Sequence, residues 1–313
     1  MRWINSSKKL IFLSFIIFIL SICYADTDIL LGGKSNNKIG KIESSQLRDK
    51  ETLSSLARRN DLGYDELIQA NPSVDLENIH VGDVLVIPSS HLLLEQPKKD
   101  IVVNLPERRL YHHLKGKLKI KTYPVGVGEL GWSTPLGKMT IIGKRRDPHW
   151  YVPKSVLEKN EKEGITLPRV VAPGPDNPLG TRAMRLSSPS YLIHGTNEPD
   201  GVGKRSTAGC ISLYPEDIIN LYRDTKMDSS VNIVNHDLKW MLDGDYLCVE
   251  VHPPIDLSSK NEILQDNRER LDYIQQEKFN LLEAKFSIDK AYNSYWQLIK
   301  KEQLGVPQCV KVY

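Results

Sequence analysis

From Asp100 onward the chain reads as short β-branched or aromatic runs, "IVVNL", "RLYHHL", "KLKIKTYPVGVG" and "KMTIIGK", cut by Pro-Glu, Lys-Gly and Thr-Pro-Leu-Gly turns. Turn signals at this spacing predict a β-rich sandwich or barrel rather than alternating β-α units. His112 and His113 are adjacent on one such run and face opposite sides of it, which argues against their serving one metal. Proline and glycine are dense from "RRDPHWYVP" to "RVVAPGPDNPLGTRAMRL", an irregular stretch of the kind that shapes a cleft wall. "SYLIHG" reads as a final inner strand ending at His194. "YPEDIINLYRDT" reads as a helix, with Pro215 in its first turn, Glu216 and Asp217 beside it, and Ile218, Leu221 and Tyr222 on one face. Tyr191 is expected in the strand core, and Arg182 and Arg185 as salt-bridged surface residues.

The opening "MRWINSSKKLIFLSFIIFILSICYA" joins basic Arg2, Lys8 and Lys9 to an apolar run too short to span a bilayer and ends at a small residue. It is read as a secretory signal peptide (1–25) cleaved after Ala25, delivering the chain to the periplasm. Membrane association is expected only if that segment stays uncleaved. Lys+Arg 42 against Asp+Glu 39 is close to balance, and no basic block is interleaved with aromatics, so nucleic acid is not an expected partner.

Residues 42–89 form a compact unit. Leu53, Leu56 and Ala57 recur at helical spacing, as do Leu67, Ile68 and Ala70, and "VGDVLVIP" alternates like a strand after the Asn71-Pro72 stop. A small α/β module of two short helices follows from this pattern. With "TLSSLARR", "ELIQANP" and "GDVLVIP" it resembles the LysM family, a resemblance that implies affinity for N-acetylglucosamine polymers such as peptidoglycan glycan strands.

Beyond His252 the composition becomes charged and amphipathic, with Leu264, Leu271, Ile274, Phe279 and Leu282 among the apolar positions. The span 237–313 is read as a helical extension, either packed on the body or binding a partner. After removal of the leader the cysteines are Cys210, Cys248 and Cys309, an odd number in an oxidising compartment. Two arrangements are open: a Cys248–Cys309 disulfide that leaves Cys210 reduced, or unpaired thiols throughout.

The segment "IHGTNEPDGVGKRSTAGCISLYPEDI" carries His194 and Cys210. A thiol attacks a carbonyl only as thiolate and needs an imidazole or helix terminus nearby. A loop folding back from Thr196 to Thr207 would bring His194 to the sulfur, with Gly195 and Gly209 permitting close approach. By itself a His–Cys pair at this spacing also fits a buried, inert thiol. The blocks "GVGELGWSTPLGKMTIIGKRRDPHWYVP", "PGPDNPLGTRAMRL", "IHGTNEP" and "GCISLYPEDI", in this order, resemble the YkuD-type L,D-transpeptidase catalytic family.

That resemblance implies a mainly β catalytic domain over 99–236, a β-sandwich with flanking helices. It implies that Cys210 acylates on the diaminopimelate carbonyl of a peptidoglycan tetrapeptide stem, releases D-alanine and transfers to an amine of a second stem or of an outer-membrane protein. His194 would be the general acid/base, Gly195 and Thr196 would steady its ring, and the amides of Ala208, Gly209 and Cys210 would form the oxyanion hole. Trp132 and Trp150 would line the cleft or simply pack. The family most often reads Ser-His-Gly-Cys, a hydrophobic residue and Arg, whereas this chain has Thr207-Ala208-Gly209-Cys210-Ile211-Ser212. Lys204 and Arg205 are candidates for the missing charge, or else a solvated loop. Two other outcomes fit the altered motif: an L,D-carboxypeptidase or hydrolase using the same thioester, and a peptidoglycan-binding protein without turnover. Neither Cys-x-x-Cys nor His-Glu-x-x-His occurs, and no metal or cofactor is expected.

Overall fold

The computed structural model describes residues 29–30, 37–76, 78–94, 100–114, 119–244, 246–253, 255 and 305–311. The expected leader and the amphipathic segment 261–304 lie outside these residues. The body is a β-sandwich. Its first sheet contains β1 (Ile101–Asn104), β2 (Arg109–His113) and β3 (Lys119–Pro124) as an antiparallel meander. Strand β4 (Gly137–Arg146) pairs through Gly137–Thr140 with β8 (Ser230–Val234), which runs parallel to β1. From Ile141 on, β4 pairs with β5 (Arg182–Leu186), with a register shift between Ile141 and Gly143. A bulge of this kind lets one strand turn a corner between two packed sheets. The second sheet continues through β6 (Leu192–His194) to β7 (Ile211–Ser212).

Alternation dictates the core. Ile101 and Val103 from β1, Met184 and Leu186 from β5, Ile193 from β6 and Ile211 from β7 meet in one buried cluster, closed by Ile218 and Leu221 of helix α4 (Pro215–Asp224), which follows α3 (Lys154–Lys162). The opposite face of the first sheet is apolar too: Val102, Tyr111 and Ile120 pack with Ile39.

The LysM-like module contains α1 (Leu53–Arg59) and α2 (Tyr64–Gln69) around Leu56, Ala57, Leu62, Leu67, Leu85 and Ile87. Thr52 caps α1 reciprocally with Ser55, which satisfies two otherwise orphaned amides. Lys38–Gly40 pairs with Ser90–Leu92 outside the Glu43–Gln46/Val84–Ile87 pair.

The module sits on the body through buried charge. Arg109, only 2% exposed, sends Nη2 to Glu66 Oε2 at 2.6 Å and to Asp61 O at 3.0 Å, while the same Glu66 oxygen accepts the Gly63 amide that opens α2. Arg58 and Glu216 form a two-pronged pair, both bonds 2.7 Å, and Tyr214 OH donates to Leu62 O at 3.0 Å.

The described part of the C-terminal span corrects the helical expectation. Leu238–Asp243 (β9) and Tyr246–Val251 (β10) form a hairpin around Gly244, whose φ of +57° suits glycine, and Gln308–Lys311 (β11) adds a third strand. Met241 and Cys248 face inward with Leu92, and Cys248 and Cys309, directly opposite across β10 and β11, form a disulfide. The charged amphipathic stretch dominated the reading of this span and masked the shorter alternating one before it. Beneath this sheet Lys239 contacts Glu107, and Glu250 Oε1 at 2.9 Å, while His252 Nε2 lies 2.7 Å from the same Glu250 oxygen. Burial pushes the Glu250 carboxyl up, but Lys239 and the bonds from His252 and His91 outweigh it and hold it well below the usual range. Glu107, Glu250 and His252 have the composition of a metal site, and the Lys239 ammonium already supplies the cation between the two carboxylates.

Candidate active site

Strand β6 runs parallel to β7, with Ile193 opposite Ile211 and His194 opposite Ser212. Both isoleucines point into the core, so by the two-residue period His194 and Ser212 point to the other face. Cys210, two residues before Ser212, shares that face and lies beside Leu192. The parallel pairing therefore sets the two candidate groups two residues apart in register. Residues 195–210 fold back as a loop containing a short turn of helix at Pro199–Gly201 and a strand, Arg205–Thr207, parallel to Val127–Gly128.

Glycine is required at 209. Its φ is +96°, and a Cβ there would lie 2.9 Å from the Tyr191 ring and 3.3 Å from the Trp132 and Ser133 carbonyl oxygens. The 132–133 turn thus presses against the cysteine loop. Thr207 staples the turn, its hydroxyl donating to Cys210 O at 2.6 Å while accepting the Gly209 amide at 3.2 Å. Cys210 is a free, half-buried thiol whose Sγ–H points at Ser190 O, 3.8 Å away. Burial pushes this thiol up from its ordinary value, and a bond from the Leu192 amide to sulfur offsets part of the rise.

His194 is 6% exposed, and its Nδ1 lies 2.5 Å from Gly195 O. Burial lowers the imidazole to about 4, against the carbonyls of Gly195 and Pro178, which favour the charged ring. The resting pair is therefore thiol and neutral imidazole. Among the described residues no hydrogen bond joins ring and sulfur, so proton transfer requires a turn of the thiol or a bridging water. The proline-rich stretch read as a cleft wall does cover His194: Pro178 reaches the ring, and Gly180 packs on the Gly195 backbone, where a Cβ would meet Thr196 N at 2.8 Å.

Several expected roles change. The Gly209 amide is turned inward to Thr207 and does not face a substrate oxyanion in this state. Thr196 Oγ1 accepts the Glu198 amide at 2.9 Å and steadies its own turn rather than the imidazole; the Gly195 carbonyl holds the ring. Ala208 is exposed at the loop tip. Lys204 Nζ stacks 3.9 Å from the Tyr64 ring of α2, and Arg205 Nε donates to Gly128 O at 3.1 Å, so both cations hold protein surfaces. Trp132 is half-buried with Lys159 over its ring at 5.7 Å, beside the cysteine loop. Trp150 lies on a separate ribbon, Trp150–Tyr151 with Val170–Val171. Ser212 is buried against Gly126, where a Cβ would lie 2.3 Å from its hydroxyl, so an arginine there would not fit unchanged. Tyr191 packs on the core edge just before β6, and Arg182 pairs with Asp147 at 3.7 Å, whereas Arg185 is exposed without an ion pair among the described residues.

Sequence reasoning missed Ser190, Leu192 and Pro178. The first two could have been found only by pairing β6 with β7, since that register sets Leu192 beside Cys210.

The L,D-transpeptidase catalytic domain family matches residues 98–233, and the LysM domain family matches 48–88. The chain is 38% identical over 224 residues to a probable L,D-transpeptidase, YcfS, of Escherichia coli, covering 70% of this chain and 69% of that protein. It is 35% identical to the probable L,D-transpeptidase ErfK/SrfK of Salmonella typhimurium, covering 66% of this chain and 67% of that one. The putative L,D-transpeptidase YkuD of Bacillus licheniformis is 29% identical over 56% of this chain and 89% of its own. The chain belongs to the L,D-transpeptidase family and is an enzyme of that class, with a LysM domain ahead of a mainly β catalytic domain.

Proposed function

We propose that this enzyme is exported to the periplasm by cleavage after Ala25 and acts on peptidoglycan, with Cys210 as nucleophile and His194 as general acid/base. The observation that carries this reading is the β6–β7 pairing, which sets a free cysteine and a buried neutral imidazole on one face of the second sheet. Neutral His194 takes the thiol proton as sulfur bonds to the diaminopimelate carbonyl carbon of a tetrapeptide stem. The adduct collapses, the C–N bond breaks, and D-alanine leaves with the proton returned by His194. An amine of a second stem, or of an outer-membrane protein, then attacks the thioester, and its proton passes through His194 back to sulfur. The carbonyls of Gly195 and Pro178 stabilise the imidazolium in transit. The LysM domain contributes affinity for the glycan strands.

The mature chain is incubated with disaccharide-tetrapeptide and the products are followed by mass spectrometry. Cross-linked dimer is expected, lost in Cys210→Ala and slowed about 10²- to 10⁴-fold in His194→Ala. Tripeptide without dimer would replace transfer by hydrolysis, and full turnover by Cys210→Ala would end the nucleophile assignment.

A further inference from the structure

We infer that the LysM domain is part of the scaffold that holds the Cys210 loop, with Arg58, Gly63 and Tyr64 as positioning residues for the nucleophile. This rests on the reading of Cys210 as nucleophile. The contacts between module and body fall on both flanks of the cysteine. Upstream, the start of α2 meets residues 202–204. Gly63 and Gly203 are back to back: a Cβ on Gly203 would lie 2.2 Å from Gly63 Cα, and Gly203 has φ +79°. The Tyr64 amide donates to Val202 O at 3.4 Å, and Lys204 Nζ sits over the Tyr64 ring. Downstream, Tyr214 OH reaches Leu62 O, and Glu216 takes the Arg58 guanidinium with both carboxylate oxygens. Arg58 also lies over the Tyr214 ring at 5.3 Å.

Between these anchors the path to the sulfur is short and close-packed. Residues Arg205–Thr207 pair with Val127–Gly128, and a Cβ on Gly128 would lie 3.1 Å from Gly209 Cα. Ser212 exchanges backbone bonds with Gly126, its amide to Gly126 O at 3.0 Å and its carbonyl from the Gly126 amide at 2.9 Å. A shift of 203 or 216 therefore moves the backbone on either side of Cys210. Misplacement of a reacting group by about 1 Å costs about 10²-fold in rate. The module thus works as a fixed jaw rather than a tethered anchor, and a glycan strand it grips is presented at a set distance from the thiol.

The test uses the full mature chain and a tetrapeptide stem lacking sugar, so that glycan affinity of the module does not enter. Arg58→Glu and Glu216→Arg are each expected to lower kcat about tenfold with KM changed less than about twofold, and the double exchange to restore most of the loss. Both side chains are more than a third exposed, and circular dichroism checks that each variant is folded. Tyr64→Ala lowers kcat while Tyr64→Phe, which keeps the ring under Lys204, does not. The alkylation rate of Cys210 by iodoacetamide changes in step with kcat. Unchanged kcat and alkylation in the folded single variants would overturn the positioning role. Retained activity in Cys210→Ala would instead remove the nucleophile reading on which it rests.

Discussion

The core of the sandwich and the seam beneath the LysM domain are both buried, yet opposite chemistry builds them. The core is apolar, its residues delivered by strand alternation from β1, β5, β6 and β7. The seam is ionic: Arg109 and Glu66 are buried, with partly buried Arg108 beside them and the Arg58–Glu216 pair at the edge. An apolar core tolerates many packings of similar volume, whereas buried charges tolerate only the arrangement that pairs them. The seam therefore fixes the orientation of the module more sharply than its own small core could, and that orientation bears on the Cys210 loop.

The largest effect expected from breaking this contrast is at Arg109. Arg109→Ala leaves Glu66 buried without its cation and should cost about 4 kcal/mol in a denaturant titration. Glu66→Gln in the same chain should recover most of the loss, because the amide still accepts the Gly63 N–H. Ile193→Ala, on the apolar side of the comparison, should cost about 3 kcal/mol, and no polar second substitution should rescue it.

A smaller effect of opposite sign is expected at Asp217. Burial, with Asp61 and Glu216 nearby, holds its carboxyl well above the usual range, and Oδ2 has no hydrogen-bond partner. The unfolded chain releases this proton near 3.8 while the folded chain keeps it, so stability falls as pH rises above that value. Asp217→Asn removes the loss and should stabilise by about 1 kcal/mol at pH 8, the gain fading toward pH 4 in thermal melts. A constant gain across pH would assign the effect to packing instead.

The smallest is a displacement in the pH profile. With the His194 imidazole of the free enzyme lowered to about 4, the acid limb of kcat/KM should lie near pH 4 rather than near 6.5, and most activity should survive at pH 5.5. A midpoint near 6.5 would mean that the working imidazole is solvated during turnover.

Much of this is legible in the sequence. Strand alternation marked β1, β2, β3 and β4, Pro215 and its acidic neighbours marked α4, and the spacing of Leu53, Leu56 and Ala57 marked α1. The hairpin β9–β10 was missed because its short alternation stands beside a longer charged segment. Lys204 and Arg205 read equally as substrate charge or as a solvated loop, because nothing nearby in the chain accounts for them. Their partners, Tyr64 and the Gly128 carbonyl, lie far away along it.

The residue pattern alone determined the class of fold and the two family blocks and marked the pair of side chains proposed for acyl transfer, since each depends on local periodicity or on neighbours in the chain. Tertiary structure alone decided that His194 and Cys210 share a face, that Gly209 gives its amide to Thr207, and that the LysM domain grips both flanks of the cysteine. These depend on strand register and on pairs such as Arg58 and Glu216, 158 residues apart. Contacts at that separation leave no periodic trace in a single sequence, because their energy arises only once the two surfaces have met.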